Sequence, residues 1–237
     1  MKPKRFPKIK SPFNREENIA NEYIVYDEVT KGYDWVFENE EVKAVEKIDG
    51  TNCAVVVDNG SIESVWTRYG SKPFQKVATY GSPTHHYIVR AVQNSIQRGY
   101  LDLDDGVHYG EAVGVHFQGN PHELDEDLFI PFNWLVEHCE YESWGKYPKD
   151  YETIEKWFRD DLFSLFYSKM HGVDLDTASV SNGTYCEGIM FVHPDYNYTA
   201  DIESVTEQLA DGTEREVGIH FAKLRRDMYD WYHGERH

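Results

Sequence analysis

The apolar and polar positions of this chain fall into short runs broken by turn signals, and strand-like runs outnumber helical ones. Residues 43–69 read as three strands, VKAVEKID, CAVVVD and SIESVWTR. They are rich in β-branched residues and are interrupted by Gly50 and by the Asn59-Gly60 hairpin signal. Ile88, Val92 and Ile96 recur every four residues, with Ser82-Pro83 as a helix start and Gly99 as its stop. Residues 107–115 and 128–138 read as strands again. Behind Asp150 as a cap, Ile154, Trp157, Phe158, Leu162, Leu165 and Phe166 form one apolar face, which predicts a single helix as far as Met170. Strands over 185–193 and 217–224 close the pattern, with a short helix after them. Because strands dominate without alternating regularly with helices, the expected fold class is α+β, with antiparallel sheets flanked by helices, rather than doubly wound. No repeat or low-complexity linker divides the chain. One domain over 1–237 is expected, with a basic N-terminal arm over 1–15.

Composition narrows the class. A chain of 237 residues buries enough apolar surface to need no disulfide staples. Its three cysteines, Cys53, Cys139 and Cys186, lie far apart with no CxxC pair, which argues for a reducing compartment and against a zinc site. No apolar stretch approaches the roughly 18 residues that span a membrane, and no apolar run follows the basic start. These features predict a soluble protein in a cytoplasmic setting (the host's cytoplasm, for a viral protein) with no membrane partner. Nothing in the sequence sets an oligomeric state.

The net charge of −18 works against nonspecific nucleic-acid binding, because phosphate contacts come mainly from Lys and Arg. The charge is unevenly spread. MKPKRFPKIK at the start is basic, and Lys223, Arg225 and Arg226 form a second basic group, while acid concentrates in LDLDD (101–105) and HELDED (122–127), which read as solvated loops. Any nucleic-acid contact is expected to be local and salt-sensitive, with Arg68, Arg90 and Arg98 as further candidates.

The chemistry begins at Lys47-Ile48-Asp49-Gly50-Thr51-Asn52. If residues 43–49 are extended, Lys47 and Asp49 point the same way, and Gly50 lets the backbone turn and lie close to a ligand. A lysine can serve as a nitrogen nucleophile only when neutral. From an ordinary pKa near 10.4, freeing the amine at neutral pH costs roughly 4 kcal/mol, so the site must supply desolvation, neighbouring cations or a metal. Further along, Tyr109-Gly110-Glu111 places a lone acid between glycines in an apolar strand. Glu187 precedes another apolar strand, GIMFV, and Lys223 and Arg225 stand two residues apart on one strand face. Singly, each is an ordinary feature of a hairpin or a sheet edge. Together they form an ordered set.

That set resembles the covalent nucleotidyltransferase superfamily of ATP-dependent ligases and capping enzymes. Within it, EKIDGTN (46–52) is similar to the RNA ligases of the phage type that seal nicks in duplex RNA. YGE (109–111), EGIMF (187–191) and KLR (223–225) match the later motifs in order, and Arg68 lies where the family has an arginine near a phosphate or a nucleic-acid end. Two positions depart from the pattern. The aromatic expected to stack on adenine is Phe132, with Phe129 as a rival, and Arg225 stands where a lysine is common. Arginine binds phosphate as a fork rather than as a point charge.

The resemblance implies a nucleotidyltransferase (ligase adenylation) fold and three steps. Lys47 takes AMP from ATP, AMP passes to a 5′-phosphate, and a 3′-hydroxyl displaces it. It implies Lys47, Lys223 and Arg225 as catalytic residues, and Glu46, Asp49, Gly50, Asn52, Arg68, Glu111, Phe132, Glu187 and Lys223 around the nucleotide. It further implies Glu187 as a contact to Mg²⁺ or Mn²⁺, ATP as cofactor, and RNA (nicked duplex or broken ends) as partner, with DNA as the other candidate. The dozen residues after Arg225 leave no room for the OB-fold barrel usual in DNA ligases and capping enzymes, so those two activities rank second. A non-catalytic nucleic-acid-binding module of the same fold ranks third.

Overall fold

The computed structural model describes every residue except 5–6, 18–21, 69–72, 79–81, 147, 180–182, 197–202, 210–211 and 235–237. In chain order its strands and helices are β1 (Lys8–Lys10), β2 (Phe13–Glu17), β3 (Tyr23–Val29), α1 (Trp35–Glu38), β4 (Lys43–Lys47), β5 (Thr51–Asp58), β6 (Ser61–Thr67), β7 (Gln75–Lys76), α2 (Pro83–Arg98), β8 (Gly106–Val113), β9 (Leu128–Pro131), α3 (Phe132–His138), α4 (Tyr151–Asp160), α5 (Leu165–His171), β10 (Gly188–Val192), β11 (Ser204–Gln208) and β12 (Glu214–Arg225). The fold is α+β. The chain divides into two compact units, one of Met1–Arg5, Ile48–His138 and Phe166–Val173, the other of Phe6–Lys47, Cys139–Leu165 and Asp174–His237.

The second of these units is built on a sheet ordered β1-β12-β10-β4, with β11 also paired to β12. β1 runs parallel to β12, and the other pairings are antiparallel. One face of this sheet carries Ala44, Ile189, Phe191, Ala222 and Leu224 into an aromatic-rich core with Ile154 and Phe158 of α4 and with Phe13 and Val25 of the β2–β3 hairpin. The basic stretch expected as an arm is therefore built in from Lys8 onward. Phe13 is buried, and Lys10 is ion-paired with Glu207 at 2.5 Å.

The first unit holds an antiparallel sheet ordered β7-β6-β5-β8-β9. Helix α2 covers one face, burying Ile88, Ala91 and Val92 against Cys53, Val55 and Val57 of β5 and Ala112 of β8. It starts at Pro83 and stops at Gly99 in the left-handed conformation, φ 77°, although the Ser82 side chain makes no cap bond.

Two expected elements change. The strand expected over 128–138 ends at Pro131, which has no amide hydrogen for the ladder, and continues as α3. In α3, Leu135 is buried, and the rings of Trp134 and His138, four residues apart, lie 4.5 Å from each other, as helical spacing requires. The single helix expected from 150 to 170 is broken into α4 and α5 by an extended step. There Phe163 bridges to Tyr185, and the hydroxyl of buried Ser164 donates to buried Glu46 at 2.5 Å. A carboxylate shut away from water needs a donor, and the extended step is where Ser164 supplies one. The apolar face crosses the break, so its periodicity hid it.

Of the two acidic loops, 101–105 is exposed at Asp102, Asp104 and Asp105 as expected, while 122–127 is less solvated than expected at its end. Asp127 is fully buried and ion-paired with Arg90, and Glu126 pairs with Arg98 at 2.7 Å. Two of the three arginines proposed as nucleic-acid contacts, Arg90 and Arg98, are therefore ion-paired within the unit. All three cysteines are buried thiols.

Candidate active site

In the β4–β10–β12 sheet, Gly188 lies opposite Lys47 on one side and Arg225 on the other, and Met190 lies opposite Val45 and Lys223. Directly paired residues share a face and successive residues alternate, so Lys47, Arg225 and Lys223 project from one side. The intervening row, Glu46, Ile189 and Leu224, points the other way, with Ile189 and Leu224 in the core. The catalytic lysine expected from the sequence is thus the last residue of β4, and the expected cations sit two strands away on the same surface. Gly188 must be a glycine: a Cβ there would meet the Leu224 carbonyl and lie 2.8 Å from the Arg225 Cα.

Glu187 joins the charges. Its carboxylate is ion-paired with the Lys47 ammonium and lies 3.8 Å from Arg225 Nη1, while Arg225 Nη2 reaches Asp227 Oδ2 at 3.0 Å. These side chains are between 9% and 23% exposed, so their interactions are only partly screened. Lys223 shows the consequence of crowding cations in such a place. Burial first, and then the charges of Lys47, Arg225 and Lys8, push its pKa down to about 7. A bound anion would reverse that, because a phosphate beside Lys223 favours its charged form.

Two expectations about this stretch need correction. Glu46, expected beside the nucleotide, is 1% exposed on the face opposite Lys47, held by Ser164 and by its own amide to the Cys139 carbonyl at 2.9 Å. Strand alternation forces adjacent residues apart. β4 also stops at Lys47, so the alternation that was to align Asp49 with Lys47 does not extend that far. Gly50 also makes a close approach the sequence did not disclose, to β8: a Cβ would fall 2.7 Å from the Ala112 carbonyl oxygen and 2.8 Å from Val113 Cγ1.

Asp49, Gly50, Asn52, Arg68, Glu111 and Phe132 belong to the other unit. There Asn52 pairs with Glu111 across β5 and β8, and the Arg68 amide donates to the Asn52 carbonyl at 2.9 Å, which places Arg68, Asn52 and Glu111 in one row. The Asn52 amide donates to Glu111 Oε1 and to the Gly110 carbonyl, both at 3.4 Å. The face opposite this row is the one packed under α2. Gly110 is glycine because a Cβ would run into the Ile130 carbonyl of β9. Phe132 opens α3 half-buried, whereas its rival Phe129 is fully buried in the core and offers no ring to a base.

Asp227 escaped the sequence analysis, as did His122 and Gln118, which contact the backbone of Asp49 and Gly50. Asp227 was findable, since it stands two residues beyond Arg225 in KLRRD. For a divalent cation, Glu187 and Asp227 offer hard carboxylate oxygens beside the cations that would hold phosphate, a donor set of the kind Mg²⁺ or Mn²⁺ shares with phosphate oxygens. Among the described residues no group of three or more His, Cys, Asp or Glu is arranged to hold a metal by itself. No helix among them is long and apolar enough to cross a membrane.

No family model matches the chain, and no curated protein does. Solved structures do. A Naegleria gruberi RNA ligase with PPi matches at TM-score 0.37 and 16% identity over 78% of this chain and 52% of that one. A mutant of the same ligase with ATP and Mn matches at 0.38 and 13% over 89% and 59%, and an apo mutant at 0.39 and 16% over 80% and 58%. The chain spans between about half and three-fifths of those ligase chains.

Proposed function

We propose that the chain is an ATP-dependent RNA ligase that joins 5′-phosphate and 3′-hydroxyl ends through AMP carried on Lys47, with 1–237 acting as its adenylation domain. The observation that carries this reading is the row across β4, β10 and β12, in which Lys47, paired with Glu187, shares a sheet face with Arg225 and Lys223. A lysine that must attack phosphorus needs cations around the phosphate and a way to lose its own proton, and a sheet face in a chain of net charge −18 has little other use for three crowded cations.

In the first step the Lys47 amine, having shed a proton, forms a bond to the α-phosphorus of ATP as the bond to the bridging oxygen breaks and pyrophosphate leaves. Lys223 and Arg225 neutralise the charge that builds on the α-phosphate oxygens, Arg225 through two donors. Glu187 would hold Mg²⁺ or Mn²⁺, with Asp227 nearby, and the cation would add neutralisation of phosphate oxygens. Glu111 and Asn52 would take the ribose and the reacting phosphate's surroundings, Phe132 the adenine, and Arg68 a phosphate or the nucleic-acid end. An oxygen of a 5′-phosphate next attacks the carried AMP, the nitrogen–phosphorus bond breaks and Lys47 recovers its amine. A 3′-hydroxyl then displaces AMP and seals the strand.

The preference for RNA rests on the EKIDGTN stretch. The test is incubation with α-labelled ATP and Mg²⁺ or Mn²⁺, followed by denaturation. Retained label that disappears in Lys47→Ala supports the reading, and absence of label with any nucleotide ends it. Nicked RNA against nicked DNA, and ATP against GTP, separate RNA ligase from DNA ligase and capping enzyme.

A further inference from the structure

The turn Ile48-Asp49-Gly50 bears two residues expected near the nucleotide, and one loop grips its backbone. That loop, residues 114–127, follows β8. The amide of Asp49 donates to Nε2 of His122 at 3.3 Å, and Nε2 of Gln118 donates to the carbonyl oxygen of Gly50 at 3.5 Å. We propose that His122 and Gln118 are positioning residues for nucleotidyl transfer, acting through the Asp49-Gly50 turn. The proposal rests on the ligase reading above and extends it to residues that reading did not use.

The loop is a braced scaffold. Gln118 and Glu123 hold φ values of 48° and 50°, a conformation such side chains keep only where their surroundings dictate it. Phe117 and Leu124 are 2% and 7% exposed. Asn120 clamps Leu124 by two hydrogen bonds, of 2.9 and 3.0 Å. At the end of the loop, buried Asp127 accepts the His116 amide at 3.1 Å and pairs with Arg90, while Asn94 donates to its carbonyl at 2.9 Å. His122 itself is 4% exposed, edge-on to Phe166 at 5.0 Å, and its carbonyl accepts from Nε2 of His171 at 2.9 Å. A contact made from such a frame fixes its partner rather than following it.

Chemistry restricts what can replace His122. A ring nitrogen that accepts from an amide carries no hydrogen, so the imidazole bears its proton on Nδ1. Of the other side chains, glutamine puts an acceptor oxygen at the same reach. Phenylalanine keeps a ring for Phe166 but offers no acceptor. At position 118, asparagine tolerates the left-handed backbone yet is too short to reach Gly50.

The experiment is single-turnover formation of the lysyl-AMP at saturating ATP, with melting temperatures measured alongside, in the full chain and in His122→Phe, His122→Gln and Gln118→Asn. His122→Phe is expected to be slower by about 100-fold and Gln118→Asn by about tenfold, the scale of a small misplacement of a reacting group. His122→Gln is expected to recover most of the rate, which a ring needed only for packing would not allow. Wild-type rates in His122→Phe or Gln118→Asn overturn the proposal, as does a His122→Gln as slow as His122→Phe. Should His122→Phe not fold, Gln118→Asn, at an exposed position, decides alone. A wild-type chain that forms no lysyl-AMP overturns the ligase reading instead.

Discussion

The Lys47 ammonium is ion-paired with the Glu187 carboxylate. An ammonium cannot attack phosphorus, so Lys47 must give up a proton before it reacts. Glu187 is accordingly a residue whose value lies in chemistry more than in stability.

Glu187→Ala tests that division. With the pair partly exposed, at 23% and 19%, its loss should lower stability by only about 1 kcal/mol. Loss of a group that organises Lys47 and Arg225 around the phosphate should slow lysyl-AMP formation by about 100-fold or more. Chemical denaturation and a single-turnover assay read the two effects separately. A variant that loses several kcal/mol of stability, or keeps its rate, contradicts this account.

Lys223 gives a dependence on pH whose sign can be worked out. Its pKa is about 7 in the fold against an ordinary 10.5, so between these values the unfolded chain holds a proton that the folded chain lacks. Stability should therefore rise with pH across that window, and the cost of charging Lys223 in the fold is felt in full below it. Lys223→Met should flatten the rise. Binding of ATP should restore the charge, so that the protein takes up a proton above neutral pH. Titration calorimetry in two buffers of different ionisation enthalpy measures that uptake directly, and Lys223→Met should abolish it.

Ser164→Ala removes a donor from a carboxylate with no access to water. A loss of about 1–3 kcal/mol is expected, the range for leaving a buried acceptor without its donor, and Ser164→Thr should recover part of it if the extra methyl is accommodated. Equilibrium unfolding in denaturant measures both.

The same residue shows what the sequence could and could not disclose. The order Lys47, Glu111, Glu187, Lys223 and Arg225 was legible because short strands with β-branched residues declare themselves, and strand alternation then assigns Lys223 and Arg225 to one face. Helix α2 was legible to the residue, since Pro83 and Gly99 punctuate it. The break between α4 and α5 was not, because the contact made there is with Glu46, 118 residues away in sequence. Glu46 was misplaced for a related reason. Its motif put it beside Lys47, and the alternation that separates neighbours was applied to Asp49 but not to Glu46. The β1, β2, β3 and β11 strands also went unread; β1 and β2 are short and rich in charged residues, and β1 finds its partner, β12, at the other end of the chain.

Gly50→Ala separates two accounts of one glycine. The position carries no left-handed strain, and the obstacle is the backbone of β8, whose Ala112 carbonyl lies 2.7 Å from where a Cβ would stand. Overpacking against backbone should cost about 1–3 kcal/mol, visible as a lowered denaturation midpoint even without nucleotide. If the glycine served only to admit a ligand, the free protein would be unchanged.

The account stands or falls on which amine carries AMP. Lys223, with its pKa near 7, is the obvious rival on the same sheet face. The direct measurement is tandem mass spectrometry of the protein after reaction with ATP and a divalent cation, digested at alkaline pH where a phosphoramidate survives. The account predicts AMP on the peptide containing Lys47 and nowhere else. AMP on Lys223, or an unmodified Lys47 in protein that has retained label, would contradict it.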